Sequence, residues 1–148
     1  MKICDYIDEK LIFFLEETTK EEVLRTLVNA TIQEKKLPDG EKFFRAISER
    51  EKIVSTGIGM GVAIPHAKLS TYDNFFVTVG ILSKGVDWQA LDRAPVRLIF
   101  LIGGPDDKQT EYLQILSSLT MVLRDEGLRK NLMQASNKEE VFDLFQAL

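Results

Sequence analysis

The chain has 148 residues, the length of a single domain, and its 45% hydrophobic and 28% charged residues are typical of a globular protein rather than a disordered one. The formal net charge is -4 and the Lys and Arg residues form no dense stripe, so nothing in the sequence predicts binding of nucleic acid. Cys4 is the only cysteine, which excludes an intrachain disulfide and a cysteine-based metal site and is typical of a reducing compartment.

The N-terminal segment contains an apolar run at residues 11–15 that is flanked by acidic residues. The run is too short to be the apolar part of a signal peptide or a membrane span. We therefore expect a cytoplasmic protein with no membrane insertion.

Two helices are predicted next along the chain. Thr19 and Glu22 have the spacing of a capping box at the start of the first, and Pro38 with Gly40 should end it before "LPDG". The second should carry Arg50 near its C-terminal end. Helical spacing predicts that the inward-facing residues are Val23, Leu24, Leu27 and Val28 in the first helix and Phe43, Phe44 and Ile47 in the second.

The segment "STGIGMGVAIPHA" (residues 55–67) reads as a loop with short extended pieces, since Pro65 disfavours helical backbone at Ile64. Two strands should follow, at Phe75–Leu82 and Pro95–Ile102. The second is almost continuously apolar, which is typical of a central strand covered on both faces, and "GGP" should end it.

Three helices are expected after the strands. The first has leucines at spacings of three, three and four, the second lies around Leu128–Met133, and the third should be capped by Ser136 with Glu139 in its first turn. The spacing in the first of these helices is that of Leu113, Leu116, Leu119 and Leu123. The third helix should bury Val141, Phe142, Leu144 and Phe145. Helices that flank a small sheet predict a single-domain α/β sandwich.

Several kinds of site do not fit the sequence. Gly57, Gly59 and Gly61 lack the dinucleotide-binding spacing, and no Gly-Lys-Ser/Thr ends a phosphate loop. Carboxylates such as Asp73 show no metal-ligand spacing beside the single histidine. A hydrolase built on Ser55 would lack the Gly-x-Ser-x-Gly motif.

His66 remains as a candidate nucleophile. A neutral imidazole can attack phosphorus at neutral pH, glycine backbone can approach phosphate oxygens, and Arg50 can supply a planar, charged fork for them. The alternatives stay open at this point: a structural histidine, glycines that only form turns, and an arginine that only compensates a helix C-terminus.

The stretch "SEREKIVSTGIGMGVAIPHAKL", followed by "ALDRAPVRLIFLI", resembles the enzyme IIA domain of the bacterial phosphoenolpyruvate-dependent phosphotransferase system. The likeness is to the fructose/mannitol class, which includes stand-alone nitrogen-related regulatory proteins. It implies one such domain over residues 1–148, an α/β sandwich with a mixed sheet flanked by helices, and no metal or organic cofactor. It also implies that His66 accepts a phosphoryl group from the phosphocarrier HPr, or its nitrogen-type counterpart, and that Arg50 binds the phosphoryl oxygens.

The chain departs from the family pattern at one position. Where the family usually has a second histidine at the start of the long helix, this chain has Tyr112 before Leu113. A tyrosine hydroxyl can donate one hydrogen bond to a phosphoryl group but cannot become a cation. Tyr112 is therefore expected to bind phosphate in an auxiliary role, with a half-buried aromatic of no special function as the alternative.

The resemblance leaves three functions open. The expected one is a nitrogen-type regulator in which phosphorylation of His66 controls which target protein is bound. The others are a sugar-specific IIA that passes phosphate to a IIB component, and a non-catalytic interaction scaffold. Partners of such domains dock near the histidine, so Ile58, Met60 and Leu69 are expected to be exposed for docking, with burial in the core as the alternative.

Overall fold

The computed structural model describes residues 1–148, and one mixed sheet with helices on both faces accounts for nearly the whole chain. A short 3₁₀ turn at Ile3–Tyr6 comes first. The strands are β1 (Ile7–Leu15), β2 (Gly57–Gly59), β3 (Val62–Ala63), β4 (His66–Lys68), β5 (Phe76–Val86) and β6 (Val96–Gly104). The helices are α1 (Lys20–Lys35), α2 (Gly40–Ile53), α3 (Gln109–Val122), α4 (Glu126–Gln134) and α5 (Lys138–Gln146).

The sheet has the strand order β1-β5-β6-β3-β2, and β4 continues the line of β3 along the same side of β6. Parallel pairs join β1 to β5 and both β3 and β4 to β6, whereas β5 with β6 and β2 with β3 are antiparallel. The predicted α/β sandwich with a mixed sheet is therefore confirmed, and β6 is the central strand that its apolar sequence predicts.

Side chains of β6 alternate between two separate cores. Phe100 and its neighbours on one face pack with α3, α4 and α5, and the Phe100 and Phe145 rings meet edge-on at 6.0 Å. The opposite face packs against α1 and α2 and contains Phe43 and Trp88, both fully buried. Because both faces are covered, no polar residue alternates with the apolar ones in the middle of this strand. No helix is long and apolar enough to cross a membrane.

The first predicted helix is confirmed in detail. The backbone N–H of Glu22 donates to Thr19 Oγ1 at 3.2 Å, so Thr19 is the N-cap, and the predicted apolar face is buried. The helix ends at Lys35, and Lys36 follows with a φ of 53°, before the proline. In the second helix Phe43 and Ile47 are buried, while Phe44 is only half-buried and stacks under the Arg25 guanidinium at 3.7 Å.

One strand is missed, and the two predicted strands end later than expected, β5 at Val86 instead of Leu82. No element is predicted from the apolar run at residues 11–15, yet it forms the second half of β1, because pairing with β5 and cover from α5 supply partners that the local pattern does not show. β6 also continues through Gly103 and Gly104 instead of ending there. Both glycines pair with β4, at Ala67 and Lys68, so the strand runs until its partner ends.

Three predictions in the C-terminal half are also wrong in detail. Leu113 is half exposed, because the buried face of α3 is the one that carries Tyr112 and Leu119. Asn137, not Ser136, caps α5: it accepts from Glu140 N–H at 2.9 Å, whereas Ser136 binds the Glu140 carboxylate. Of the four α5 residues expected in the core, Val141 and Phe145 are buried, and Phe142 and Leu144 are only partly covered.

Candidate functional site

His66 begins β4 and lies half-buried beside the end of the central strand. Its position is fixed by backbone pairing, since His66 lies opposite Ile102 and the N–H of Ile102 donates to the Pro65 carbonyl at 2.9 Å. The imidazole is therefore attached to the rigid part of the sheet. Proline directly before it restricts the backbone from which the side chain leaves.

The tautomer of His66 follows from one contact. Its Nδ1 is 3.0 Å from the carbonyl oxygen of Ile64, and a carbonyl can only accept, so Nδ1 carries the proton and Nε2 keeps its lone pair. Burial lowers the pKa of His66 below its usual value, and the charges of Arg50 and Lys68 lower it further, against an opposing effect of the bond to Ile64 and of Glu51. The ring is thus neutral and nucleophilic at Nε2 at neutral pH.

A chain of hydrogen bonds runs from a buried carboxylate to this carbonyl. Glu51 accepts from Thr56 through both the backbone N–H, at 3.3 Å, and the hydroxyl. The carbonyl of Thr56 then accepts from the N–H of Ile64 at 3.0 Å, and Ile64 holds His66. The orientation of the imidazole therefore depends on a side chain at the end of α2.

Glu51 itself sits in a buried polar network that ties three elements together. Lys20, at the start of α1, pairs with Glu51 at 2.6 Å and donates to the carbonyl of Trp88 at 3.2 Å. The Trp88 indole N–H lies 3.4 Å from Glu51 and 3.3 Å from Thr56. Sequence reasoning missed Glu51, Thr56 and Lys20, because nothing local marks a charge that is paired with residues far along the chain.

Arg50 lies half-buried in the last turn of α2, next to Glu51. It donates one hydrogen bond, to the carbonyl of Val54 at 2.9 Å, and it belongs to neither of the two ion pairs. Its charge lowers the pKa of His66 and counteracts the burial that raises the pKa of Tyr112. The guanidinium thus acts on both rings and keeps most of its donors free of protein partners.

Tyr112 lies in the first turn of α3 with its ring against the site. The centroid of the Tyr112 ring is 5.6 Å from that of the His66 ring. The Tyr112 ring also stacks on the ring of Phe75, with the two centroids 6.2 Å apart. The side chain is buried, which raises the pKa of its hydroxyl, so the group stays a neutral donor. The sheet and α3 therefore bring Tyr112 to His66 although 46 positions separate them in the sequence.

The glycines beside His66 shape a hairpin. Met60 and Gly61 have φ values of 62° and 76°, the combination of a type I′ turn, and they connect β2 to β3. Gly57 packs on Ala90, where a Cβ would lie only 2.7 Å from the alanine methyl. Gly61 is thus a turn residue, whereas Gly57 and Gly59 lie in β2, and the Met60 N–H donates to Asp92 at 3.1 Å.

Ile58 and Met60 are exposed on this hairpin, as expected for docking, whereas the same expectation is wrong for Leu69. Leu69 is buried because its N–H bonds to the Gly104 carbonyl, which continues the pairing of β4 and turns the side chain into the α1–α2 core. No three His, Cys, Asp or Glu side chains come together in an arrangement that could hold a metal ion.

Comparison with known proteins identifies the family. The family model described as "Phosphoenolpyruvate-dependent sugar phosphotransferase system, EIIA 2" matches residues 5–147. A fructose-specific EIIABC component of Bacillus subtilis is 34% identical over 97% of this chain, although the chain spans only 23% of that relative. A fructose-specific EIIA component of Haloferax volcanii is 34% identical over 85% of this chain and 82% of its own length.

A solved structure extends the likeness to regulatory proteins. The nitrogen regulatory protein IIA-Ntr of Neisseria meningitidis superimposes with a TM-score of 0.89 at 28% identity, covering 97% of this chain and 98% of that one. The sequence match and the shared fold agree over nearly all residues. The chain therefore belongs to the EIIA 2 family of the phosphoenolpyruvate-dependent sugar phosphotransferase system, whose members are phosphotransfer components.

Proposed function

We propose that this protein is a phosphohistidine carrier in which Nε2 of His66 accepts the phosphoryl group. The observation that carries the proposal is the bond from Nδ1 to the Ile64 carbonyl, which leaves Nε2 with a lone pair in a chain that matches the family over residues 5–147. In the transfer, Nε2 forms a bond to phosphorus as the bond from phosphorus to the donor's phosphohistidine nitrogen breaks. No proton needs to leave His66, because Nδ1 keeps its hydrogen.

Two neighbours of His66 suit the charge that this step brings. The transferring group carries negative charge on three oxygens, and preorganised donors are what such a group needs. Arg50 keeps most of its guanidinium donors free and its charge acts on His66, and the neutral Tyr112 hydroxyl can donate once. After transfer, the imidazolium character of the phosphorylated ring is stabilised by the hydrogen bond from Nδ1 to the carbonyl.

An apolar surface next to Arg50 fits a protein donor. Five hydrophobic side chains at the end of α2, on the β2–β3 hairpin and on the β5–β6 loop are exposed: Ile53, Val54, Ile58, Met60 and Leu91. Exposed apolar groups rimmed by polar ones are typical of protein docking sites. We propose that HPr, or a nitrogen-type HPr, binds here as donor, in the cytoplasm, and that the next partner uses the same face.

We propose a nitrogen-type regulator as the role, because the structure is more similar to IIA-Ntr of Neisseria meningitidis, with a TM-score of 0.89, than to IIA mannitol of Escherichia coli, with a TM-score of 0.79. Phosphorylation adds about 1.5 to 2 negative charges beside the docking face, which weakens any complex that buries the face against acidic groups. The second candidate is a sugar-specific IIA that passes phosphate to a IIB component. It is favoured by the 34% identity to the two fructose-specific proteins.

The test is phosphorylation in vitro. The protein is incubated with phosphoenolpyruvate, enzyme I and HPr, and its mass is followed for one added phosphoryl group that is labile in acid and stable in base. His66→Ala is the control and should remain unmodified. An unmodified wild type, with the donor chain proved active on another acceptor, or a modified His66→Ala variant would refute the proposal. Binding of a IIB component or of a target only in one phosphorylation state then separates the two roles.

A further inference from the structure

Lys68 lies on the same side of the sheet as His66. The two residues are separated by one position on β4, and successive side chains of a strand point to opposite faces, so both point away from the buried Ala67. The Lys68 ammonium is 4.4 Å from the centre of the Tyr112 ring. That ring is the one in contact with His66 at 5.6 Å, so the ammonium and the imidazole share an aromatic neighbour.

No carboxylate pairs with Lys68, whose charge lies against the Tyr112 ring. The protein has two ion pairs, Lys20 with Glu51 and Arg25 with Glu41, and Lys68 is in neither. Its one hydrogen bond goes to a neutral amide oxygen, that of Gln109, at 2.5 Å. An ammonium has three donors, so two remain for another group. A half-buried cation without a carboxylate is an arrangement that an anion can complete.

The N-terminal end of α3 lies beside Lys68, which donates to Gln109. Gln109 is the first residue of this 14-residue helix, and no side chain caps its free N–H groups. Arg50 belongs to the last turn of α2, whereas Lys68 lies against the ring of Tyr112 on α3. The charges of Arg50 and Lys68 both lower the pKa of His66, after the larger effect of burial.

We propose that Lys68 is a second phosphoryl-binding cation, which donates to an oxygen of phosphorylated His66 from the side of Tyr112 while Arg50 binds from the side of α2. The inference rests on the proposed function, because it concerns the phosphorylated state of the same histidine. No bond is made or broken by Lys68. Two cations match the one and a half to two negative charges of the phosphoryl group.

The experiment compares three lysine variants with wild type in single-turnover transfer from saturating phosphorylated HPr. Lys68→Met keeps the length of the side chain and removes its charge, and we expect the rate to fall by about tenfold or more. Lys68→Arg keeps the charge and should recover most of the rate. The matched control is Lys84→Met, because Lys84 is exposed at the end of β5 that is remote from His66.

A second measurement reports on the phosphoryl group itself. Loss of a contacting cation should raise the pKa of the phosphoryl oxygens, so the ³¹P resonance of phosphorylated Lys68→Met should titrate at higher pH than in wild type. A wild-type rate with an unshifted titration in Lys68→Met would overturn the inference. So would equal slowing in Lys84→Met, or a Lys68→Arg variant as slow as Lys68→Met. A wild type that takes up no phosphate would instead refute the proposed function, and this inference with it.

Discussion

Replacing Glu51 by Gln removes one negative charge from the buried network behind His66. The Glu51 side chain is only 5% exposed, and its carboxylate pairs with Lys20 at 2.6 Å while accepting hydrogen bonds from Thr56 and Trp88. Glutamine retains one acceptor oxygen but turns an NH₂ group toward donors on one side. Those donors are either Lys20 and the Thr56 backbone N–H, on Oε2, or the Thr56 hydroxyl and the Trp88 indole, on Oε1, so at least one buried contact becomes repulsive.

The expected loss is about 2–4 kcal/mol in the free energy of unfolding. Removing one partner of a buried ion pair costs about 3–5 kcal/mol when the other charge is left without water. The Lys20 side chain is 19% exposed, so part of its charge can be rehydrated and the loss is somewhat smaller. The measurement is urea-induced unfolding of the variant and of wild type at neutral pH.

The chain provides a matched control in its other ion pair. Arg25 and Glu41 are also 2.6 Å apart, but the Glu41 side chain is 74% exposed. Glu41→Gln should therefore cost less than about 0.5 kcal/mol. If Glu51→Gln were as mild as Glu41→Gln, the network would not be holding α1, α2 and the loop at Thr56 together, and the reasoning above would be refuted.

Three further predictions concern pH, the auxiliary tyrosine and a strand glycine. Because the pKa of His66 is lower in the folded protein than its usual 6.5, the unfolded state binds more protons below that pH. The contribution of His66 to stability is therefore complete above pH 6.5 and is lost as the pH falls, so urea unfolding at a series of pH values should find a smaller loss just below pH 6.5 in His66→Gln than in wild type. Tyr112→Phe keeps the ring and loses the donor, so single-turnover transfer should slow by about tenfold or less without being abolished; complete loss in a folded variant would contradict an auxiliary role. Gly103→Ala places a methyl group into the ring of Phe76 and should cost about 1–3 kcal/mol in urea unfolding. Gly40→Ala, at the start of α2, brings a Cβ to 3.3 Å from the flexible Ile32 side chain and should cost less than about 1 kcal/mol; equal effects would show that the strand relaxes freely.

Local patterns predict the parts of this fold whose partners are close in sequence. Thr19 and Glu22 mark the start of α1 because a capping box is complete within four residues. The continuous apolar run of β6 predicts a strand with both faces covered, and the two cores confirm it. β1 is not predictable in the same way, since its alternation is broken by an irregular register between Ile7 and Ile12. Only pairing with β5 makes it a strand.

The residues of the candidate site also differ in how far the sequence alone predicts them. His66 and Arg50 stand out in a short characteristic stretch, and resemblance to a family points to Tyr112. Glu51 gives no signal, because its importance comes from Lys20 and Trp88, whose positions depend on the whole fold. Lys68 is two residues from His66, but its proximity to the Tyr112 ring appears only when β4 and α3 are placed together.

The parallel pairing of β1 with β5 also has a consequence for the order of folding. Ile12 lies opposite Val79, so β1 can join only after a long loop has closed, whereas β5 and β6 are joined by a short connection. α5 packs on β1, and the Lys138 ammonium lies 4.8 Å from the Phe13 ring. We expect β1 and α5 to pack last during folding and to unfold locally first. In hydrogen–deuterium exchange, the amides of β1 and α5 should therefore exchange at the same rate as each other and before those of β5 and β6. His66 lies on the far side of β6, where such an opening leaves it in place.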